Sequence, residues 1–234
     1  MEFPYDAGSK ESCWYKKICD QTKCGEDALC QRHYRMSYLV DAATMEGNQR
    51  FTVPLSPEPI DSDSYKRLRD IKDGIHDFVT EGRGLLIYSK NTGNGKTEWA
   101  KKLLLAWFNS IWSRTDFVCR GLFVQMPKFM FAMKDNIREP NEYFQYVNDN
   151  IATCDLVVWD EINYKEWSPF ELDYMLNIIN QRVSVGKANI FTTNYDLKTV
   201  SDKLGTRLAS RIVGNSECIE FKGKDRRGCA SVGK

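Results

Sequence analysis

Residues 84–108 read GLLIYSKNTGNGKTEWAKKLLLAWF. The run 84–88 is apolar and short enough for a buried strand, and from residue 97 apolar side chains recur at helical spacing. GNGKT stands at the junction, where a phosphate loop has to sit. Gly93 and Gly95 let backbone amides close around phosphate oxygens, Lys96 reaches the β and γ phosphates, and Thr97 offers its hydroxyl to magnesium. All four lie at a helix N-terminus, whose dipole favours anions. Thr92, Asn94 and Glu98 complete the expected nucleotide contacts. The full GxxxxGK[ST] pattern also wants a glycine at position 90, which is Lys90 here. A bare GKT can mark an ordinary helix start, but the strand before it and the amphipathic helix after it favour nucleotide binding.

Working outward, short apolar runs alternate with longer helical patterns from Tyr65 on, the signature of a parallel sheet wrapped by helices. Strands are expected at 84–88, 118–125, 155–159, 189–193 and 217–221. Helices are expected at 97–112, 127–138, 141–151, 169–185 and 198–213. The fold class is therefore α/β, built on a parallel sheet around a phosphate loop.

Two strand ends carry further chemistry. CDLVVWDEIN ends an apolar run in Asp160, placed to hold magnesium through water, and Glu161, placed to polarise an attacking water. The same acids could simply mark the solvated end of a strand. ANIFTTNY ends in Thr193 and Asn194, and an amide at such a tip can bond both γ-phosphate and water. It could also be a loop asparagine opening a turn. In LKTVSDKLGTRLASRIVGNSECIEFKGKDRRG, Arg207 and Arg211 lie four apart and share one helix face. A planar guanidinium suits a γ-phosphate across a subunit boundary, although a solvated basic face has the same spacing.

The 234 residues carry a net charge of only +1, so any nucleic-acid contact must come from a local patch. Residues 198–234 hold nine Lys or Arg against four Asp or Glu. The acid-bearing MEFPYDAGSK start and the lack of a long apolar run give the expectation of a soluble, cytoplasmic protein that engages no membrane.

Cys13, Cys19, Cys24 and Cys30 are separated by five, four and five residues. Clustered cysteines in a cytosolic chain point to metal, here a tetrahedral zinc site, with an iron–sulfur cluster or free thiols as the alternatives. His33 reads as a packing residue rather than a ligand. Cys119, Cys154, Cys218 and Cys229 show no pairing logic. A small cysteine-rich, metal-binding module over 1–47 ends in RHYRMSYLVDAATM, whose spacing suits an amphipathic helix. Residues 48–64, with three prolines, read as an extended linker to the ATPase domain at 65–234.

Taken together, SKNTGNGKT, DLVVWDEI, LNIINQRV, FTTN, LGTRLASRI and FKGKDRR resemble the DnaC and DnaI family of bacterial and phage helicase loaders, which are AAA+ ATPases. The resemblance spans about residues 84–228. It implies ATP and magnesium at Lys96 and Thr97, catalytic roles for Asp160 and Glu161, and Asn194 as first sensor. It also implies Arg211 as trans arginine finger and Arg227 as second sensor, with Arg207 and Arg226 as adjacent alternatives. The partners implied are a hexameric replicative DNA helicase held by the cysteine module, single-stranded DNA, and further copies of the chain when ATP is bound. Only nine residues follow Asp225, so no separate helical lid is expected. Lys128, Phe129, Lys134 and Arg138 offer charge and a stacking ring for single-stranded DNA. Two competitors share the site: a transposition regulator of the IstB kind, and a DNA-binding scaffold with a degenerate nucleotide site, which Lys90 keeps open.

Overall fold

The structure is a computed structural model that describes residues 31–50, 52–162 and 165–225. The described residues open with α1 (Gln31–Ala42), cross 52–58 without regular secondary structure, and enter α2 (Ser62–Asp73) and α3 (Ile75–Thr80). Then come β1 (Gly84–Tyr88), α4 (Lys96–Ile111), β2 (Gly121–Gln125), α5 (Met126–Asp135) and α6 (Glu142–Ile151). β3 (Leu156–Asp160), α7 (Pro169–Ser184), β4 (Ala188–Thr193), α8 (Leu197–Gly214) and β5 (Ser216–Glu220) follow. Among the described residues no helix is long and apolar enough to cross a membrane.

The five strands are parallel, in the order β2-β3-β4-β1-β5. From β1 the chain crosses to the far edge, builds β2 and β3, and returns through β4 to β1. Strand order reverses at β1, and in open parallel sheets the crevice beyond the strands' carboxyl ends at such a point is where ligands bind.

Alternate strand residues serve two cores. Leu85, Ile87, Phe123, Val158 and Ile190 face a layer built from α1 to α4, while Leu86, Val124, Trp159 and Phe191 face α5 to α8. Buried Arg182 on α7 ties the lower edge together, its Nε donating to Asn189 Oδ1 at 2.8 Å and its guanidinium to the carbonyls of Cys154 at 3.0 Å and Ala188 at 2.6 Å. The loop entering α7 is closed by a reciprocal cap: Ser168 Oγ accepts from the Glu171 amide at 3.3 Å, and Glu171 Oε2 from the Ser168 amide at 2.7 Å.

Three features depart from the sequence reading. A boundary after residue 47 cuts through packed structure, because Met36, Leu39, Val40 and Met45 lie in the same core as Leu103, Phe108 and Phe123. The Phe123 amide also donates to the Ala43 carbonyl at 2.9 Å. The pattern of α1 was legible, but not the surface its apolar face meets. Secondly, α2 and α3 occupy a stretch for which no helix was expected. Thirdly, α8 is broken at Gly205, whose φ of 72° and ψ of 156° lie outside the helical region.

If α1 belongs to the ATPase core, Leu39→Ala should destabilise the whole domain by about 2–5 kcal/mol, the range for a buried leucine left as a cavity. Denaturant titration checks this, and a loss near zero would return α1 to a separate module.

Candidate nucleotide site

The phosphate loop is shaped by its glycines and fastened by its polar side chains. Gly93 has φ 66° and Gly95 φ 101°, left-handed values that favour glycine. A Cβ on Gly95 would also stand 2.9 Å from Leu55 Cδ1. Lys90 is not among the positive-φ residues, so the position where the full pattern wants glycine does not require one in this loop. Lys90 instead pairs with Asp196 at 2.8 Å. That bond, with the Thr199 amide also donating to Asp196, holds the Asp196 carboxyl well below its ordinary range and caps α8.

Inside the loop, Asn94 is fully buried and donates to Ser89 Oγ at 2.7 Å. The Lys96 ammonium donates to the Asn91 carbonyl at 2.8 Å and to Asn94 Oδ1 at 3.1 Å. From outside, Asn91 Nδ2 donates to the carbonyls of Lys222 and Gly223 at 3.1 and 3.0 Å, and Thr92 Oγ1 to Asp225 Oδ2 at 3.1 Å. Residues 222–224 are held in turn by buried Asp61, which accepts from the amides of Lys222 at 2.7 Å and Gly223 at 3.0 Å. Glu58 accepts from the Lys224 amide at 3.2 Å.

The acidic strand end meets this loop directly. Thr97 Oγ1 donates to Asp160 Oδ1 at 2.9 Å, and Thr192 Oγ1 donates to the same oxygen at 2.7 Å. Burial pushes the Asp160 carboxyl up to about 6, and nearby Glu161 adds to the rise, while the two threonine hydroxyls and Lys96 pull it down. Glu161 stands exposed at φ 60°, its amide donating to Thr192 Oγ1 at 3.0 Å. A left-handed φ outside glycine is uncommon and is held only where surroundings enforce it, here by that bond.

Loop, Glu161, Thr193 and Asn194 enclose a cavity of about 560 Å³, walled on the opposite side by Val53, Leu55 and Lys101. Lys101 pairs with Glu98 at 2.7 Å, and Glu98 accepts from the Val53 amide. The structure thus gathers Thr92, Gly93, Asn94, Gly95, Lys96, Thr97, Glu98, Glu161 and Asn194 around one cavity, with Asp160 bonded to Thr97 at its edge. A threonine hydroxyl beside a buried carboxylate is a hard-oxygen donor pair of the kind magnesium takes alongside phosphate oxygens.

Arg211 is not part of this gathering. It is exposed and lines a small cavity with Gly84, Asn189 and Ser216, at the strand starts, opposite the nucleotide end. Arg207 is also exposed. Arg226, Arg227, Cys13, Cys19, Cys24 and Cys30 lie outside the described residues. Among the described residues no group of three or more His, Cys, Asp or Glu could hold a metal ion.

One expectation is corrected: Phe129 is fully buried in the core and offers no stacking ring. Lys128 is engaged by Glu46 at 3.1 Å and lies over the Tyr143 ring. Thr192, Ser89, Val53, Leu55 and Lys101 were missed. Thr192 precedes Thr193 in FTTN, and residues 53–55 fall within the expected linker.

Fold and site together define a five-stranded parallel-sheet protein in which a glycine-shaped loop, an acidic strand end and a polar strand end meet around one cavity. The particular relatives follow from comparison. Over 139 residues, 58% of this chain, it is 27% identical to the replicative helicase loader DnaC of Escherichia coli strain K12. The match spans 53% of that relative, about half its length. Among solved structures, that of a DnaC helicase loader superposes with TM-score 0.59 at 21% identity, covering 72% of this chain and 94% of the other. DnaI superposes with TM-score 0.56 at 19% identity, covering 74% and 91%. The replication initiator DnaA bound to AMPPCP and single-stranded DNA gives TM-score 0.57 at 16% identity, covering 73% and 49%. No family model matches the chain. The likeness to DnaC and DnaI helicase loaders read from the motifs is therefore borne out in sequence and in fold.

The Asp160 value fixes a pH dependence. Its folded value, about 6, lies above the ordinary 3.8, so the unfolded chain loses this proton first as pH rises. This group therefore opposes folding increasingly between about pH 4 and 6 and fully above that; stability from it returns as pH falls. Asp160→Asn should accordingly stabilise the nucleotide-free protein at pH 8, by at most about 3 kcal/mol, and give little gain at pH 4. Thermal melts at both pH values test this, and equal shifts at both would contradict it.

Proposed function

We propose that this chain is an ATP-dependent loader that delivers a hexameric replicative DNA helicase onto single-stranded DNA. The observation carrying the reading is the Thr97–Asp160 contact at the mouth of the loop cavity, in a chain similar to DnaC over 139 residues. In this reading the loop amides and Lys96 hold the ATP phosphates, and Thr97 with Asp160 holds magnesium, which supplies charge neutralisation on the phosphates. Glu161 orients the attacking water and takes its proton, and Asn194 senses the γ-phosphate.

Arg211 serves a neighbouring copy. Its place at the opposite end of the sheet supports this, since it stands away from its own pocket. Hydrolysis then depends on assembly, and ATP binding favours the assembled form. The cysteine-rich segment, as a zinc module, holds the helicase.

For the DNA contact, α5 and the turn after it take the role, with Phe131 in place of Phe129. Phe131 is 68% exposed and Ile137 74%, beside Lys134 and Arg138, and Phe170 on α7 is 60% exposed. The Lys134–Glu171 pair at 3.4 Å brings the start of α7 against α5. An exposed ring flanked by cations suits stacked bases and their phosphates.

Lys96→Ala should remove nucleotide binding in calorimetry, whereas Arg211→Ala should leave binding intact and lower turnover of the assembled protein. Equal loss of binding in the two would refute this division of roles. Phe131→Ala should weaken capture of a labelled oligothymidylate by about 1–3 kcal/mol, the usual contribution of one stacked base, with ATP binding unchanged. Unchanged anisotropy would move the DNA contact elsewhere.

A further inference from the structure

A second cavity, of about 710 Å³, lies between α2 and α4 under the roof of residues 52–57. None of the loop residues lines it. Its walls are apolar where Leu55, Ile75 and Leu105 meet, with Trp99 among them. Its charge is one-sided: Arg69 and Lys72, one helical turn apart on α2, and Lys102 on α4, against Asp73 alone.

These cations are short of counter-charge. Among the described residues neither Arg69 nor Lys102 has an ion-pair partner, and Lys72 has only its own neighbour Asp73, at 4.0 Å. Lys102 is half-buried, and burial first, then the charges of Lys72 and Lys101, hold its ammonium below its ordinary value against the pull of Glu98. Trp99 is only 5% exposed, and its indole Nε1 has no hydrogen-bond partner among the described residues. A buried donor without an acceptor is unfavourable, because it has lost water and gained nothing.

One ligand chemistry answers the unbalanced charge and the apolar wall together: a phosphate would neutralise Arg69, Lys72 and Lys102, and an organic body would cover the wall that includes Trp99. The volume falls within the range of small-ligand pockets. Leu55 lines this cleft and the nucleotide cavity alike, and its Cδ1 lies against Gly95. A ligand that moves Leu55 would therefore be felt at the phosphate loop.

We propose that the cleft between α2 and α4 is an effector site for a nucleoside phosphate, separate from the nucleotide held by the phosphate loop and coupled to it through Leu55. The test is calorimetric titration of the full chain with ADP and, separately, with inorganic pyrophosphate, both with magnesium. Wild type should take two equivalents of ADP, Lys96→Ala one, the pair Lys72→Ala and Lys102→Ala one, and the three changes together none. The cleft pair should also shift the affinity of the remaining site at least fivefold, the lower end of ordinary coupling.

A single equivalent in wild type that Lys96→Ala abolishes would overturn the proposal while leaving the loop reading intact. Conversely, a single equivalent that survives Lys96→Ala and is lost with the lysine pair would uphold the cleft and sink the loop reading. Two equivalents retained by the lysine pair would overturn the cleft, as would pyrophosphate occupying it as tightly as ADP, since the apolar wall would then contribute nothing. Lys72 is exposed and Lys102 half-buried, so Lys102→Gln alone, melting as wild type does, gives the same reading should the pair unfold.

Discussion

The nucleotide end of this protein depends on one buried oxygen. Asp160 Oδ1 accepts from Thr97 at 2.9 Å and from Thr192 at 2.7 Å, and so joins the start of α4, the end of β3 and the end of β4 at a single atom. A carboxylate withdrawn from water is expensive unless bonded, and its raised proton affinity shows that two hydroxyls meet only part of that expense. The strain at Glu161 belongs to the same arrangement, since Thr192 also accepts from the Glu161 amide at 3.0 Å. One threonine thus places the buried acid and turns the next acid toward the cavity.

Around that centre the phosphate loop is braced by segments far away in sequence. Asp61 and Glu58 hold the backbone of residues 222–224, and the carbonyls of 222 and 223 receive Asn91. The prolines of residues 52–59 block regular structure and suit a strap that crosses the head of α4, where Val53 meets Glu98 and Leu55 meets Gly95. The same chain therefore supplies loop, strap and brace.

Much of this was legible in the sequence, because the signals were local. GNGKT after an apolar run and before an amphipathic helix has few structural meanings, and the five strands fall within three residues of their expected starts. What escaped depends on contacts between distant segments. Nothing in RHYRMSYLVDAATM says that its apolar face will meet Phe123 rather than a metal module, and no local pattern separates Phe129, sunk in the core, from Phe131, two positions on and in solvent. Thr192 was passed over for a related reason: which threonine of a pair faces an acid on the next strand is a matter of register. Lys90 shows the opposite case: the backbone there does not enter the left-handed region, so the loop keeps its shape without the glycine that the motif wants.

The break in α8 has a mechanical consequence. The first half of the helix is fastened at the nucleotide end, through Asp196 to Lys90, while the second half carries Arg211 to the other end of the sheet and leads into β5. Gly205 between them, with no side chain to wedge its joint, leaves the two halves without a continuous ladder of backbone bonds. A small rotation at one end need not be copied at the other, so Arg211 can shift with the second half without disturbing the loop around Lys96.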